Sequence, residues 1–586
     1  MAEAAALGVR SGTDLSCGGE YRSLADAVRQ GLLAEAQIDT SVTRLFLARF
    51  RLGLFDPPDS VPYAQIPLSA LDQPAHRALA LRTARESIVL LRNEGNVLPL
   101  RKDHRTIAVI GPNADEWRML LGNYLGIPAD PVTPLRGIRA AVSPRTRVLF
   151  ARGSDLADGF PALDQVPSTA LSTARGRPGL DVEYFAGRTT TNEPVARGVD
   201  SAIAIHWHHG APPGLAGDSF AVRWTATLRP PVTGAYRLGL MGTMRFRLYL
   251  GDSLVLRSEY QWRDDEFPDP RLRQSAPLTL EAGRSYRLRV EAEESYGDAD
   301  LQLVWARPTE GLEAEALRAA GQADVVVMFL GLTPRLEGEE MEVQIAGFRG
   351  GDRTSLDLPD AQQRLLERVV ALGKPTVLVL MGGSAMAITW AEQHVPAIVA
   401  AWYPGQAGGT AIADVLFGDY NPAGRLPVTF YRSAADLPPF ESYAMAGRTY
   451  RFFTGTPLYP FGHGLSYTTF RYANLRTSAD TAGATDTITV SFDLTNGGTR
   501  AGEEVAQLYV RYPRSAMPRP LRDLRGFQRV HLEPGETRTV TLSLPVDYLS
   551  YWDVDADRWA VEPGEVQLEI GASSADIRLR RTVMVR

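Results

Sequence analysis

Cysteine, long apolar runs and basic stretches are all scarce in this sequence. Its 586 residues contain one cysteine, Cys17, which excludes an internal disulfide framework and a metal site built from several cysteines. No apolar run approaches the ~20 residues of a membrane-spanning helix, so no membrane partner is expected. The net charge is −6 without a compensating basic stretch, which argues against nucleic acid as a partner.

Histidine is also scarce, and its one cluster is not typical of a metal site. His206, His208 and His209 stand together in IHWHHG, with a tryptophan among them and no further ligand pattern nearby. A packing or surface role is therefore favoured over metal binding. We expect no metal and no other cofactor.

The hydrophobic pattern changes several times along the chain, which predicts several domains. Helical spacing over residues 1–60 is followed by a proline-containing linker at 61–77. Beyond the linker, short apolar runs alternate with helix-like segments, a pattern typical of a mostly parallel sheet buried on both faces. The runs predict strands at 106–110, 325–330, 376–380 and 397–402, and helices at 78–92, 361–372 and 409–416. Residues 178–308 and 468–586 instead show short alternating strands and predict two all-β regions.

A cluster of carboxylates follows the apolar run Val325–Leu330. Glu337, Glu339, Glu340 and Glu342 fall within six positions of the loop that this strand enters. Binding sites of open α/β sheets lie at the carboxyl ends of the strands, so these groups are placed for proton transfer. A solvated acidic loop without chemistry has the same composition, and spacing alone does not separate the two interpretations.

Several long motifs resemble glycoside hydrolase family 3, which contains β-glucosidases and β-xylosidases. In chain order they are LLRNEGNVLPL (90–100), IAVIGPNAD (107–115), the acidic loop, GKPTVLVLMGGSAM (373–386), the segment 397–430 and YPFGHGLSYTTF (459–470). Their length and order make the resemblance more specific than any short motif. It implies retaining hydrolysis of terminal β-linked glucosyl or xylosyl residues, with an oligosaccharide or glycoside as substrate.

The resemblance also implies a fold class: multidomain α/β plus all-β. An α/β sandwich domain would be interrupted by a β domain similar to PA14, because FAVRWTATLRPPVTGAYRL (220–238) resembles that domain. A fibronectin III-like β-sandwich would follow, because ITVSFDLTNGGTRAGEEVAQLYV (488–510) resembles it. The expected domains are a barrel remnant at 1–60, a linker at 61–77, the α/β domain at 78–177 and 309–440, the PA14-like insertion at 178–308, a second linker at 441–467 and the fibronectin III-like domain at 468–586.

Members of this family usually begin with a (β/α)8 barrel that carries the nucleophilic aspartate. Residues 1–60 resemble only the C-terminal remnant of such a barrel, and we find no substitute for the aspartate motif, so this chain alone is expected to lack the nucleophile. Three interpretations stay open: the larger part of a glycosidase, a non-catalytic carbohydrate-binding remnant, or one subunit of a split enzyme whose partner chain carries the barrel. A homo-oligomer also stays open. The first residues show no secretory signal, and the family suggests a periplasmic or extracellular location.

The resemblance assigns a role to the acidic loop. Family loops often read W-E-x-E-G-x-D-R or I-E-A-E-x-x-D-R, and on this sequence they place the general acid/base at Glu339. Glu337 is the second candidate for this role, and Glu340 and Glu342 follow it. Asp352 and Arg353, in GGDRT, either orient this loop through an ion pair or form a plain surface turn.

Three further residues are candidates outside this loop. Tyr260 and Trp262, in SEYQWRDDEF, offer aromatic faces on which a sugar can stack, although core packing is the commoner role of such side chains. Asp14, in the G-T-D turn, corresponds to a turn near the active-site end of the family's barrel. A structural role for Asp14 is favoured over a catalytic one.

Overall fold

The structure is a computed structural model of the chain. It describes all residues except 125, 127, 209–211, 213–214, 216–218, 259–272, 295–297, 310 and 342. The chain divides into two compact units, Met1–Arg77 and Ala78–Arg586. In the part of the chain that the structure describes, no helix is both long and apolar enough to cross a bilayer.

The first unit is mainly helical, as the spacing of its apolar residues predicts. Its α-helices are Ala2–Arg10, Leu24–Arg29 and Glu35–Arg51, followed by short 3-10 turns between Pro58 and Ala70. A small core forms where Ala6, Val9, Ala27 and Leu33 pack together. Leu24, Val28 and Leu32 also pack against this core, whereas Val42, Phe46 and Phe50 of the third helix are exposed.

A six-stranded sheet forms the centre of the second unit. Its strands, numbered in chain order, are β1 (Val89–Asn93), β2 (Thr106–Ile110), β3 (Arg147–Ala151), β4 (Val325–Gly331), β5 (Thr376–Met381) and β6 (Ala397–Ala400). They lie side by side in the order β1-β6-β5-β4-β2-β3, and all pairs are parallel except β1 with β6. The predicted mostly parallel sheet is confirmed, because β2, β4, β5 and β6 are buried along their whole length.

The helix predicted over residues 78–92 is wrong at its C-terminal end. The helix spans Pro74–Ser87, and the following residues enter the edge strand β1. Ile88 to Leu91 are almost completely buried, and Val89 and Leu90 pair with Ala400 and Val399 of β6, so a continuous apolar run that fits either element becomes a strand. The other helices that flank the sheet are Pro134–Ala141, Leu312–Gly321, Asp360–Val370, Thr389–His394 and Gly408–Phe417.

Between β3 and β4 the chain forms two antiparallel sheets, in agreement with the all-β pattern of this region. Trp224, Tyr236 and Trp305 are completely or almost completely buried in their common core. The longer strands are Leu180–Ala186, Ala196–Asp200, Ala204–His208, Phe220–Leu228, Gly234–Gly242, Arg245–Leu250, Ser253–Arg257, Tyr286–Glu294 and Asp298–Ala306. Alternating burial along Phe220–Leu228 shows how one face of each strand supplies this core.

The C-terminal region is a second all-β body, built from a three-stranded and a five-stranded sheet. Its long strands are Phe470–Thr477, Thr487–Asn496, Gly502–Arg511, Asp523–Leu532, Thr537–Pro545, Gly564–Gly571 and Ile577–Val585. A buried ion pair joins it to the α/β domain, where Arg425 Nη2 lies 2.7 Å from Glu504 Oε1. Both side chains are less than a tenth exposed.

His463 predicts an acid dependence of stability in the second unit. Its Nε2 donates to the carbonyl of Leu91 at 3.0 Å, its ring stacks on Tyr459, and burial lowers the pKa of His463. The folded state therefore binds a proton less readily than the unfolded state, and stability should fall as the pH drops below about 6.5. Urea titrations across that range should show a smaller decrease in the free energy of unfolding for His463→Gln than for the wild type. His531→Gln, at an exposed position, is the control. An unchanged slope in His463→Gln would contradict the prediction.

Candidate functional site

The acidic loop begins at Gly331, whose peptide group is tightly held. Gln362 is completely buried; its Oε1 accepts from the Gly331 N–H at 2.7 Å and its Nε2 donates to the Gly331 carbonyl at 3.0 Å. A Cβ on Gly331 would lie 2.0 Å from the carbonyl oxygen of Met381 on β5. The last residue of β4 thus packs directly against β5, and the loop leaves the sheet from a fixed point.

Glu337 is the carboxylate that the surrounding structure holds most firmly. The Tyr403 hydroxyl donates to Glu337 Oε1 at 2.5 Å, and the Gly383 N–H donates to the same oxygen at 3.1 Å. The Ser384 hydroxyl lies 3.5 Å from Oε2. Gly383 and Ser384 follow β5 and Tyr403 follows β6, so loops from three neighbouring strands meet at Glu337. The half-buried side chain lies at the carboxyl edge of the sheet, where α/β proteins bind ligands.

Arg353 supports this arrangement from the other side. It donates to the Ser384 hydroxyl at 2.9 Å and to the carbonyls of Ala385 at 2.6 Å and Ser355 at 3.1 Å. Burial lowers the pKa of Arg353, and the negative charge of Glu337 opposes that shift. Burial, and then the Glu337 carboxylate, raise the pKa of Tyr403 far above its usual range. The Tyr403 hydroxyl therefore remains a hydrogen-bond donor at any physiological pH.

Glu339 has a different environment. It is exposed, and its carboxylate accepts a hydrogen bond from the hydroxyl of Tyr124, whose pKa this bond raises. Tyr124 is itself 83% exposed. Glu340 is also exposed, with a left-handed backbone at φ +50°, and Glu342 lies outside the described residues. One exposed tyrosine thus contacts Glu339, whereas three groups from the ends of two other strands contact Glu337: the half-buried side chains of Tyr403 and Ser384 and the N–H of Gly383.

The remaining predicted residues are not brought to this loop by any described contact. Tyr260, Trp262 and His209 lie outside the described residues, so their proposed roles stay predictions. Asp14 accepts from Arg44 Nη1 at 3.1 Å within the first unit, a structural contact. Among the residues that the structure does describe, no group of three or more His, Cys, Asp or Glu is arranged to hold a metal ion.

Sequence reasoning missed the groups that hold Glu337. Tyr403, Gly383 and Ser384 fall in the motifs AAWYPG and MGGSAM, immediately after predicted strands. Parallel strands end at the same edge of a sheet, so the position of these three residues directly after β5 and β6 indicates that they lie near the acidic loop after β4.

Comparisons with known proteins agree with this architecture. A family model described as "Glycosyl hydrolase family 3 C-terminal domain" matches residues 88–467, and a "Fibronectin type III-like domain" model matches residues 504–574. A xylan 1,4-beta-xylosidase of Xylanibacter ruminicola is 38% identical over 582 residues, and a beta-glucosidase of Rhizobium radiobacter is 34% identical over 603. A crystal structure of a beta-glucosidase from Kluyveromyces marxianus in complex with glucose superposes with a TM-score of 0.73 at 27% identity.

Coverage in these comparisons is unequal. The matches take in 98% and 97% of this chain but 65% of the Xylanibacter protein and 70% of the Rhizobium protein. The structural match takes in 99% of this chain and 71% of the Kluyveromyces chain. The chain therefore spans about two thirds of the length of the relatives that it matches.

Proposed function

Since the chain belongs to glycoside hydrolase family 3, we propose that it takes part in the retaining hydrolysis of terminal β-linked glucosyl or xylosyl residues. The relatives named above are glycosidases, which hydrolyse O-glycosyl bonds. The substrate would be an oligosaccharide or another β-glycoside. The single observation that carries the proposal for this chain is the carboxylate of Glu337, held by three donors at the carboxyl edge of the sheet.

We propose Glu337 as the general acid/base, in place of Glu339, the first choice from the sequence. A general acid must be held within hydrogen-bonding distance of the leaving oxygen, and this favours a side chain with a fixed position. Tyr403 and Gly383 supply that constraint for Glu337, while Glu339 is exposed and contacts an exposed tyrosine. Variants of the two residues distinguish these assignments.

In the proposed reaction Glu337 acts twice. It first gives its proton to the glycosidic oxygen as the bond to the anomeric carbon breaks, and a second carboxylate attacks that carbon. Glu337 then takes a proton from the water that releases the sugar from this second carboxylate. The Tyr403 hydroxyl and the Gly383 N–H would stabilise the ionised form between the two steps.

The source of the second carboxylate is the part of the proposal that needs a direct test. The expectation that the nucleophilic aspartate lies outside these 586 residues leaves open an enzyme in one longer chain, a split enzyme or a non-catalytic remnant. The identification of residues 178–308 as a PA14-like domain also stays part of the proposal, supported by the two antiparallel sheets found there.

Two preparations test the proposed function. The first is the chain itself, and the second is the chain joined to the portion of the Xylanibacter relative that lies outside the match. Each is assayed with aryl β-xylosides and aryl β-glucosides and then treated with an activated 2-deoxy-2-fluoro glycoside, which traps the nucleophile for peptide mapping. We expect turnover and a trapped aspartate only in the joined protein. A trapped residue within the 586 residues would contradict the expected absence of the nucleophile, and inactivity of both preparations would contradict the function.

Removal of the Tyr403 hydroxyl should slow the reaction without unfolding the protein. Tyr403→Phe leaves Glu337 Oε1 with the Gly383 N–H as its remaining described donor, and a hydrogen bond to a charged group contributes about 1.5–3 kcal/mol. We therefore expect kcat/KM of the active preparation to fall about 10- to 100-fold.

Tyr420→Phe is the matched control, because the Tyr420 hydroxyl donates to Glu503 at 3.1 Å in the same kind of pair. Its kcat/KM should stay close to that of the wild type. An equal loss in both variants would show that the effect of Tyr403→Phe is structural.

A further inference from the structure

The two oxygens of the Glu337 carboxylate have different surroundings. Oε1 accepts from the Tyr403 hydroxyl at 2.5 Å and from the Gly383 N–H at 3.1 Å. Oε2 has one hydrogen-bonding contact among the described residues, the Ser384 hydroxyl at 3.5 Å, which is long for a hydrogen bond between two oxygens. Each carboxylate oxygen has two lone pairs, so Oε1 is fully bonded while Oε2 remains available to a further group.

This difference places the proton of the neutral carboxyl group. An N–H group donates and cannot accept, so a proton on Oε1 would point at the Gly383 N–H or displace it. A proton on Oε2 leaves both bonds to Oε1 intact, because the unprotonated oxygen of a carboxyl group still accepts. The neutral form of Glu337 therefore has its O–H group at Oε2, the oxygen whose bonding is incomplete.

Ser384 lies beside this oxygen, and its hydroxyl suits both protonation states of the carboxyl group. A hydroxyl donates one hydrogen and accepts through its oxygen. It donates to Oε2 when Glu337 is ionised, and it is free to turn away when Oε2 itself carries the proton. Hydrogen bonds at catalytic groups are often long before the substrate is bound, which agrees with the distance of 3.5 Å. The effect of Ser384 on Oε2 thus depends on where its hydroxyl hydrogen points.

Arg353 determines the direction of that hydrogen. Its Nη1 donates to the Ser384 hydroxyl oxygen at 2.9 Å and to the Ala385 carbonyl at 2.6 Å, and its Nε donates to the Ser355 carbonyl at 3.1 Å. A guanidinium group has donors only, so Ser384 always accepts from Arg353. The single hydrogen of the Ser384 hydroxyl is then left for another acceptor, and the acceptor that the structure describes is Oε2 of Glu337.

The fold of the acidic loop keeps Arg353 beside Glu337. Gly338 directly follows Glu337, and its N–H donates to the carbonyl of Gly351 at 3.2 Å. Arg353 comes two residues later, in the short strand Asp352–Arg353. The part of the loop that carries Arg353 thus runs back alongside the part that carries Glu337, and the two side chains keep a fixed relation to each other.

We propose that Oε2 of Glu337 transfers the proton to the leaving oxygen, and that Arg353 is a positioning residue that acts on this oxygen through Ser384. In the first step the bond between the anomeric carbon and the glycosidic oxygen breaks, and its electron pair stays with the oxygen. That oxygen takes the proton from Oε2, while an oxygen of the second carboxylate bonds to the carbon. The inference rests on the proposed function and adds to it the atom that reacts and the two residues that direct it.

The test uses the joined protein described above, with kcat/KM measured for a phenyl and for a dinitrophenyl β-glycoside. Impaired proton transfer slows the phenyl substrate selectively, because its leaving oxygen needs the proton, whereas a structural defect slows both substrates equally. We expect Ser384→Ala to slow the phenyl substrate about three- to tenfold, and Arg353→Met at least as much. Ser384→Thr keeps the hydroxyl and Arg353→Lys keeps the positive charge, so each should recover part of the loss.

A double variant tests whether Arg353 acts through Ser384. Once Ser384→Ala has removed the hydroxyl, Arg353 has nothing left to direct, so the double variant should lose no more than Arg353→Met alone. Fully additive losses would mean that the two residues act independently, which overturns the inference. Ser466→Ala is the matched control, because its half-buried hydroxyl donates to Asn421 Oδ1 at 2.9 Å. It should react as the wild type does with both substrates.

The outcomes separate this inference from the proposed function. Inactivity of the joined wild-type protein would overturn both. An active wild type whose Ser384→Ala and Arg353→Met variants react normally, or lose the same factor with both substrates, would overturn the inference and leave the function standing. A loss confined to the phenyl substrate, with partial recovery in the conservative variants, supports it. Ser384→Ala and Arg353→Lys decide the question if circular dichroism shows that Arg353→Met does not fold.

Discussion

In the chain joined to the unmatched portion of the Xylanibacter relative, Glu337→Gln is expected to lower kcat/KM about 10²- to 10⁴-fold for an aryl β-glycoside with a poor leaving group. Glutamine keeps the shape of the side chain, and its oxygen still accepts from Tyr403 and Gly383. It has no acidic proton to give to the departing oxygen, so the first step slows. A dinitrophenyl glycoside needs no such proton, and with it the first step should be nearly as fast as in the wild type.

Azide provides a second readout of the same residue. Glu337 also activates water in the second step, so with the dinitrophenyl substrate the glycosyl–enzyme should accumulate in the variant. Azide is already an anion and attacks without a general base. Adding it should therefore restore turnover and give a β-glycosyl azide, a product that a variant impaired only in folding would not form.

Glu339→Gln is the matched control for this experiment. The replacement removes one negative charge from the same loop and leaves the donors of Glu337 in place, so rates should stay close to those of the wild type with every leaving group. The opposite result, with leaving-group dependence and azide rescue in Glu339→Gln alone, would support the assignment first made from the sequence. It would show that firm positioning is the wrong criterion for this loop.

The sequence predicted the inner strands of the sheet correctly but did not predict the edge strand β1. The strands β2, β4 and β5 are short, rich in β-branched residues and buried along their whole length. A continuous apolar run of that length between two helical segments fits a buried strand better than a helix. Residues 88–92 give the same signal directly after helical spacing, and the sequence alone predicts them as part of that helix. Only the pairing of β1 with β6, three hundred residues away in the chain, decides that they form a strand.

The acidic loop shows the same limit at the level of single side chains. Its place after a buried strand predicted where a catalytic carboxylate would lie, and the structure puts Glu337 at that edge of the sheet. The order of Glu337 and Glu339 in the loop carried no information about burial. Their difference comes from Gly383 and Tyr403, which reach Glu337 from two other strand ends and are remote in the sequence.

Gly331→Ala is expected to destabilise the second unit by about 3 kcal/mol or more, because the new Cβ has no space. Gly331 has a left-handed backbone at φ +135°, and its Cβ would lie 2.0 Å from the Met381 carbonyl oxygen. Relief would require β4 to separate from β5 or Gln362 to release the Gly331 peptide group. Either movement displaces the start of the acidic loop, so activity should fall even where the variant remains folded.

Gly373→Ala separates the two causes of this effect. Gly373 also has a left-handed backbone, at φ +69°, but a Cβ there would meet no atom within 4 Å. Gly373→Ala should lower the free energy of unfolding by only about 1–2 kcal/mol, the backbone strain of a side chain in this conformation. Urea midpoints at equal m values measure both variants. Equal losses would mean that strain alone accounts for Gly331, whereas a markedly larger loss at Gly331 means that the close packing of β4 on β5 sets the position from which Glu337 is presented.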